Sequence, residues 1–149
     1  MIDVQEAKPE MVPLVGEGEF FVRVTTAPVL APGAIGPYSQ AMRAGKLLNL
    51  NRQLPIDSKT GKLVQGQFKD RVRQVLKNLS NICEMTDSTL SRVVKLNISL
   101  LSFDNNNFDA VNEVIKEFFN EPYPARSTII VSELPKGADI AIDAMLVLL

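Results

Sequence analysis

No histidine occurs anywhere in the 149 residues. Its absence removes the commonest acid–base group near neutral pH and the commonest zinc ligand, and with them most hydrolase triads. Chemistry must therefore rest on carboxylates, Tyr, Lys, Arg, backbone groups or water. Cysteine is almost missing as well. Cys83 alone cannot form an intramolecular disulfide, and its place on an apolar helical stripe suggests a small core residue rather than a reactive thiol. A reducing compartment is the simpler expectation. Nor is there an excess charge of either sign: 16 Lys and Arg against 17 Asp and Glu leave a formal charge of -1, so no basic field gathers nucleic acid. No stretch approaches the ~18 continuous apolar residues of a membrane span. The first residues, with Asp3, Glu6, Glu10 and Glu17, lack the basic-then-apolar pattern of a signal peptide. The expectation is a cytoplasmic protein with no membrane partner.

What is present fits a single globular core, with 46% hydrophobic and 22% charged residues. Residues 1–18 carry Pro9, Pro13, Gly16 and Gly18 and read as an N-terminal arm before a domain spanning 19–149. Phe20 to Thr25 is rich in β-formers and reads as a strand, followed by a Pro/Gly-rich loop from Ala27 to Pro37. Tyr38 to Arg43 and Lys46 to Gln53 read as a hairpin around Ala44-Gly45, and Pro55 to Gly66 as a connecting turn region. From Phe68 the apolar residues Val72, Val75, Leu76, Leu79, Ile82 and Cys83 fall on one helical stripe. Val93 to Leu101 returns to period two, with Val94, Leu96, Ile98 and Leu100 on one side. Asp104 to Asn107 offers N-caps for a second one-sided helix through Phe108, Val111, Ile115 and Phe118. Arg126 to Ser132 and Ile140 to Leu148 are the closing strands.

The resulting order is β-β-β-α-β-α-β-β, an α+β fold. Two helices, each apolar on one face, cover one side of a six-stranded sheet and leave the other side needing a partner. Ala141, Met145 and Val147 alternate with Ile140, Ile142, Ala144, Leu146 and Leu148, so both faces of the last strand look buried. Sheets are therefore expected to pack together in an oligomer.

Three side chains stand where chemistry is possible. Arg126 emerges at a strand start after Pro124, before Ile129-Ile130-Val131, and its planar fork matches a carboxylate. An ion pair with Asp143 or Glu133 is the plainer alternative. Asp143 is the only charge from Ile140 to Leu149, so it must be paired, neutralised or facing a cavity. Tyr38 follows Gly36-Pro37 and either packs or walls a pocket.

Gly36-Pro37-Tyr38-Ser39-Gln40-Ala41, Gln53-Leu54-Pro55 with Thr60-Gly61, Asn78 in the first helix, Asn112, Phe118-Phe119, Pro124-Ala125-Arg126-Ser127 and Leu134-Pro135 together resemble the landmarks of the RidA/YjgF family, in order, over roughly Ala31 to Val147. The resemblance implies a chorismate-mutase-like fold in a homotrimer whose sheets form a central barrel with ligand clefts between subunits. It implies hydrolysis of 2-imino acids, such as 2-iminobutanoate and 2-iminopropanoate, to 2-keto acids and ammonia, with no cofactor or metal. By the same resemblance Arg126 holds the substrate carboxylate, Tyr38 lines the cleft, the backbone beside Thr128 orients the ligand, and Asp143 stands where the family usually has the glutamate that positions the attacking water.

The chain also departs from that pattern. Asn51-Arg52-Gln53 stands where family deaminases commonly read Ser-Gly-Gln, replacing a glycine that lets backbone approach the ligand. Asn51 and Arg52 would thus join the ligand contacts or obstruct them. Arg52 is either a second cation suited to a more acidic ligand or a surface arginine whose stem covers apolar area. Its parity with Leu48, Leu50 and Leu54 places it near packed surface. Asp143 is one methylene shorter than glutamate, and Thr128 replaces a frequent cysteine. Small-carboxylate binding without turnover is the alternative function. Ribonuclease activity, a label family members often carry, is disfavoured by the charge balance, the missing histidine and the lack of an aromatic-basic stripe.

Overall fold

The computed structural model describes Val12–Pro13, Phe21–Val24, 32–33 and 36–148. The rest of the expected arm and most of the loop from Ala27 to Pro37 lie outside the described residues. The strands are β1 (Val12–Pro13), β2 (Phe21–Val24), β3 (Ala41–Ala44), β4 (Leu47–Gln53), β5 (Ile56–Asp57), β6 (Lys62–Leu63), β7 (Val93–Leu100), β8 (Ala125–Ile130) and β9 (Ile140–Val147). The helices are α1 (Phe68–Met85) and α2 (Asn105–Phe118).

The hairpin turns at Gly45, whose φ of 61° is the left-handed conformation that glycine adopts without a Cβ penalty. β3 and β4 pair antiparallel from there, Ala44 against Leu47. The main sheet has seven strands in the order β1-β2-β3-β4-β9-β7-β8, and β5 with β6 forms a separate small hairpin within Pro55 to Gly66. All six expected strands are present. The seventh, β1, falls within residues 1–18 and pairs with Val22 and Arg23 of β2. Strands of two residues carry no periodicity, which is why β1, β5 and β6 are silent in the sequence. The closing strands β8 and β9 are not neighbours, since β7 lies between them, parallel to β8 and antiparallel to β9.

Both helices lie on one side of the sheet. The stripe Val72, Val75, Leu76, Leu79, Ile82 and Cys83 of α1 and Val111, Val114 and Ile115 of α2 pack in one core with Leu48, Leu50, Leu96, Ile98, Ile140, Ile142 and Leu146. A fully buried Leu or Ile of this kind stabilises by about 1.5–3 kcal/mol. Asp104 caps α2 as expected, its side chain accepting from the Asn107 N–H at 2.8 Å. Two ion pairs tie α1 to α2: Lys69 with Glu113, and Arg73 with Glu117 at 2.8 Å. Asn78 is 1% exposed yet satisfied. Its amide donates to the carbonyls of Leu54 and Ile56 at 3.2 and 2.9 Å, pinning the chain after β4 to α1.

Two side-chain parities differ from expectation, both at bulges. Along β7 the register shifts between Val93 and Lys95, so Val93 turns inward and Val94 is exposed. Along β4, Leu50 faces Ala144 and Gln53 faces Ile142, so three steps on one strand oppose two on the other. The extra residue breaks period two. Gln53 takes the inward position and Arg52, expected near packed surface with Leu50 and Leu54, is exposed.

Candidate functional site

Tyr38 is set by its own turn. Its N–H donates to the Gly36 carbonyl at 2.8 Å, and a Cβ at Gly36 would stand 3.2 Å from the Tyr38 ring. Glycine there leaves room for the ring to stand over β3 and β4. Tyr38, Asn51 and Asp143 line one cavity of about 380 Å³, with Ser39, Asn49 and Asn97 among its polar walls. Asn97 and Asp143 are cross-strand partners on β7 and β9. The Asn97 amide donates to Asp143 Oδ1 at 2.7 Å. One carboxylate oxygen is thereby fixed and the other can accept from a ligand or a water. Asp143 is both paired and facing a cavity.

Arg126 lies elsewhere. It is the second residue of β8, the edge strand, in register with Leu96, which is in turn in register with Ala144 of β9. Successive residues of a strand point to opposite faces, so Arg126 shares the helix side with Leu96 and Ala144. Asn97 and Asp143 occupy the open side. The Arg126 guanidinium donates through Nη1 to Asn112 Oδ1 of α2 at 2.7 Å and sits over the Phe108 ring, 5.4 Å from its centroid. Within one chain, neither Asp143 nor Glu133 pairs with it. One amide and one ring fix the fork without neutralising it, and its Nε and Nη2 donors remain for a carboxylate. Its cavity, about 290 Å³, is lined by Leu96, Asn112, Ile115, Lys116, Tyr123 and Pro124.

Thr128 is half-buried two residues along β8, in register with Ile98. Arg52 lines a cleft of about 20 Å³ beside Tyr38, Gln40 and Gln53 and is not among the walls of the Asn51–Asp143 cavity. The bulge that exposes it also keeps it out of that cavity. A single chain therefore brings Tyr38, Asn51 and Asp143 together, with Arg52 at their margin, and holds Arg126 and Thr128 two strands away. Asn97, Lys116 and Tyr123 carry no expected role from the sequence, Phe108 figures there only on the apolar stripe of the second helix, and Asn112 only as a landmark. An asparagine between Val111 and Ile115 on an apolar stripe is the one signal that could have drawn attention.

Away from these cavities, burial pushes the Cys83 thiol up to about 12, with nearby Glu84 adding to the rise. It is an inert core residue. Hydrogen bonding to Arg73 holds the exposed Glu117 carboxyl below its ordinary range.

The family described as Endoribonuclease L-PSP matches residues 29–148. A Dermatophagoides farinae protein named 2-iminobutanoate/2-iminopropanoate deaminase is 41% identical over 126 residues, 85% of this chain and 96% of its own length. The crystal structure of RidA from an Antarctic Psychrobacter is similar at a TM-score of 0.75 with 39% identity, covering 80% of this chain and 94% of that one. E. coli TdcF, solved with bound serine, matches at a TM-score of 0.72 with 34% identity over 79% of this chain and 93% of its own.

Proposed function

The chain belongs to the RidA/YjgF family, also described as endoribonuclease L-PSP, and on that premise we propose that it is a cytoplasmic hydrolase of small 2-imino acids. It converts 2-iminobutanoate or 2-iminopropanoate to the 2-keto acid and ammonia, with no cofactor. The observation that carries the reading is the state of Arg126, an oriented guanidinium beside a cavity with no carboxylate partner among the described residues.

Because Arg126 and Asp143 lie on opposite sides of one sheet, the reading needs a second subunit. In a homotrimer packed through the open sheet faces, the edge strand β8 of one subunit meets the Tyr38–Asn51–Asp143 cavity of the next. The substrate carboxylate lies in the Arg126 fork and the imine carbon faces Asp143. Water gives a proton to the free Asp143 oxygen as its own oxygen bonds to the imine carbon. The proton passes to the nitrogen of the resulting carbinolamine, the C–N bond breaks to release ammonia, and the hydroxyl gives its proton to the Asp143 carboxylate as the keto group forms, from which it leaves with ammonia as ammonium. A protonated imine is already electrophilic, so holding substrate and water in line supplies much of the rate. Thr128 contributes backbone polarity beside the bound acid, and Arg52 borders the Tyr38 side.

A coupled assay generating 2-iminobutanoate with threonine dehydratase tests this. Keto-acid release should accelerate with the protein, and Arg126→Ala should lower kcat/KM by about 100-fold through loss of a charge-assisted pair. No acceleration by the protein, or equal acceleration by the variant, contradicts it. 2-Ketobutyrate binding without turnover would mark a carboxylate-binding protein instead.

A further inference from the structure

The cavity beside Arg126 carries a second cation. Lys116 lines it with Asn112 and Arg126, and no Asp or Glu is among its walls. The carboxylates nearest Lys116 in sequence are engaged across the helix pair, Glu113 with Lys69 and Glu117 with Arg73. They face α1, while Asn112, Ile115 and Lys116 face the cavity. Among the described residues neither Lys116 nor Arg126 has a carboxylate partner. Two positive groups thus converge on one recess whose floor is apolar: Leu96 and Ile115 are buried, and a low-polarity wall strengthens a charge pair formed against it.

The spacing is also defined. Lys116 lies four residues after Asn112 on α2, so their Cβ atoms are about 5–6 Å apart on one helix face. Asn112 is the group that holds the Arg126 fork. The Lys116 side chain therefore leaves α2 one helical turn from Asn112, and its stem is long enough for the ammonium to reach a second acidic group on a ligand whose first carboxylate is in the fork.

We propose that this cavity selects small dicarboxylates, Arg126 holding the carboxylate next to the imine or keto carbon and Lys116 holding the distal one. The preferred substrate class is then 2-imino dicarboxylates rather than monocarboxylates alone. The inference rests on Arg126 as the carboxylate anchor, and it does not require turnover.

Titration calorimetry of the full chain with 2-ketoglutarate and with 2-ketobutyrate reads it directly, in wild type, Lys116→Gln and Lys116→Glu. Wild type should bind 2-ketoglutarate about tenfold more tightly, the margin expected of one added hydrogen bond to a charged group. That ratio should shrink with added salt. Lys116→Gln should bring it to about one and Lys116→Glu should invert it. A wild-type ratio near one, a ratio unchanged in Lys116→Gln, or no binding of either acid overturns the proposal. Dicarboxylate preference dependent on Lys116 without imine hydrolysis would leave it standing and remove the enzymatic reading. Hydrolysis dependent on Arg126 without that preference would do the reverse.

Discussion

At the scale of single residues, the chemistry depends on how polar side chains are held. Asp143 has one oxygen fixed by Asn97 at 2.7 Å, and in the proposed reaction its other oxygen accepts the proton of the attacking water. Asp143→Asn keeps the shape and removes the proton acceptor, so kcat for imine hydrolysis should fall by about 100-fold or more with KM little changed. Steady-state kinetics would contradict this if kcat were retained. Asn97→Ala should lower kcat less, because the acceptor survives and only its orientation is lost. Arg126 and Asp143 drew attention in the sequence as charges on otherwise apolar strands and Tyr38 as a ring after Gly36-Pro37, while the roles expected of them came from the family resemblance. Asn97 and Asn112 did not stand out in this way. Their roles depend on the register of β7 against β9 and on where α2 docks over β8, and neither distance is written in local pattern.

At the scale of elements, both helices and the strands β3, β4, β7 and β9 were located because each places residues in a common core, while β2 and β8 were marked by their β-formers. Periodicity failed where one residue too many enters a ladder, at Val93–Lys95 and at Leu50–Gln53. The second failure matters for the site: Arg52 leaves the packed face and Gln53 enters it. The two helices add an electrostatic seam to their apolar contact. Glu117 sits below its ordinary range through its bond to Arg73, so the pair stabilises above the unfolded carboxyl value, about 4.3. Its contribution is lost as pH falls through the lowered folded value. Glu117→Gln should accordingly lower Tm at neutral pH and low salt, with the difference from wild type vanishing in strong acid or high salt. A difference independent of pH would contradict the ion-pair origin.

At the scale of the whole molecule, the two helices cover one side of the sheet and leave Asp143, Met145 and Val147 half-buried on the other. That imbalance was readable from the alternation along β9. Clefts between subunits were expected only through the family resemblance, because local pattern does not reveal that Arg126 and Asp143 point to opposite faces of strands two apart. The central claim is that subunits share each cleft, one giving Arg126 and its neighbour Asp143. The most direct measurement is imine hydrolysis by an equimolar mixture of Arg126→Ala and Asp143→Ala chains, unfolded and reassembled together. In a closed ring with heterologous contacts, about one cleft in four then receives both native residues, so activity should return to about a quarter of wild type. Two inactive variants that remain inactive after co-assembly would contradict the account.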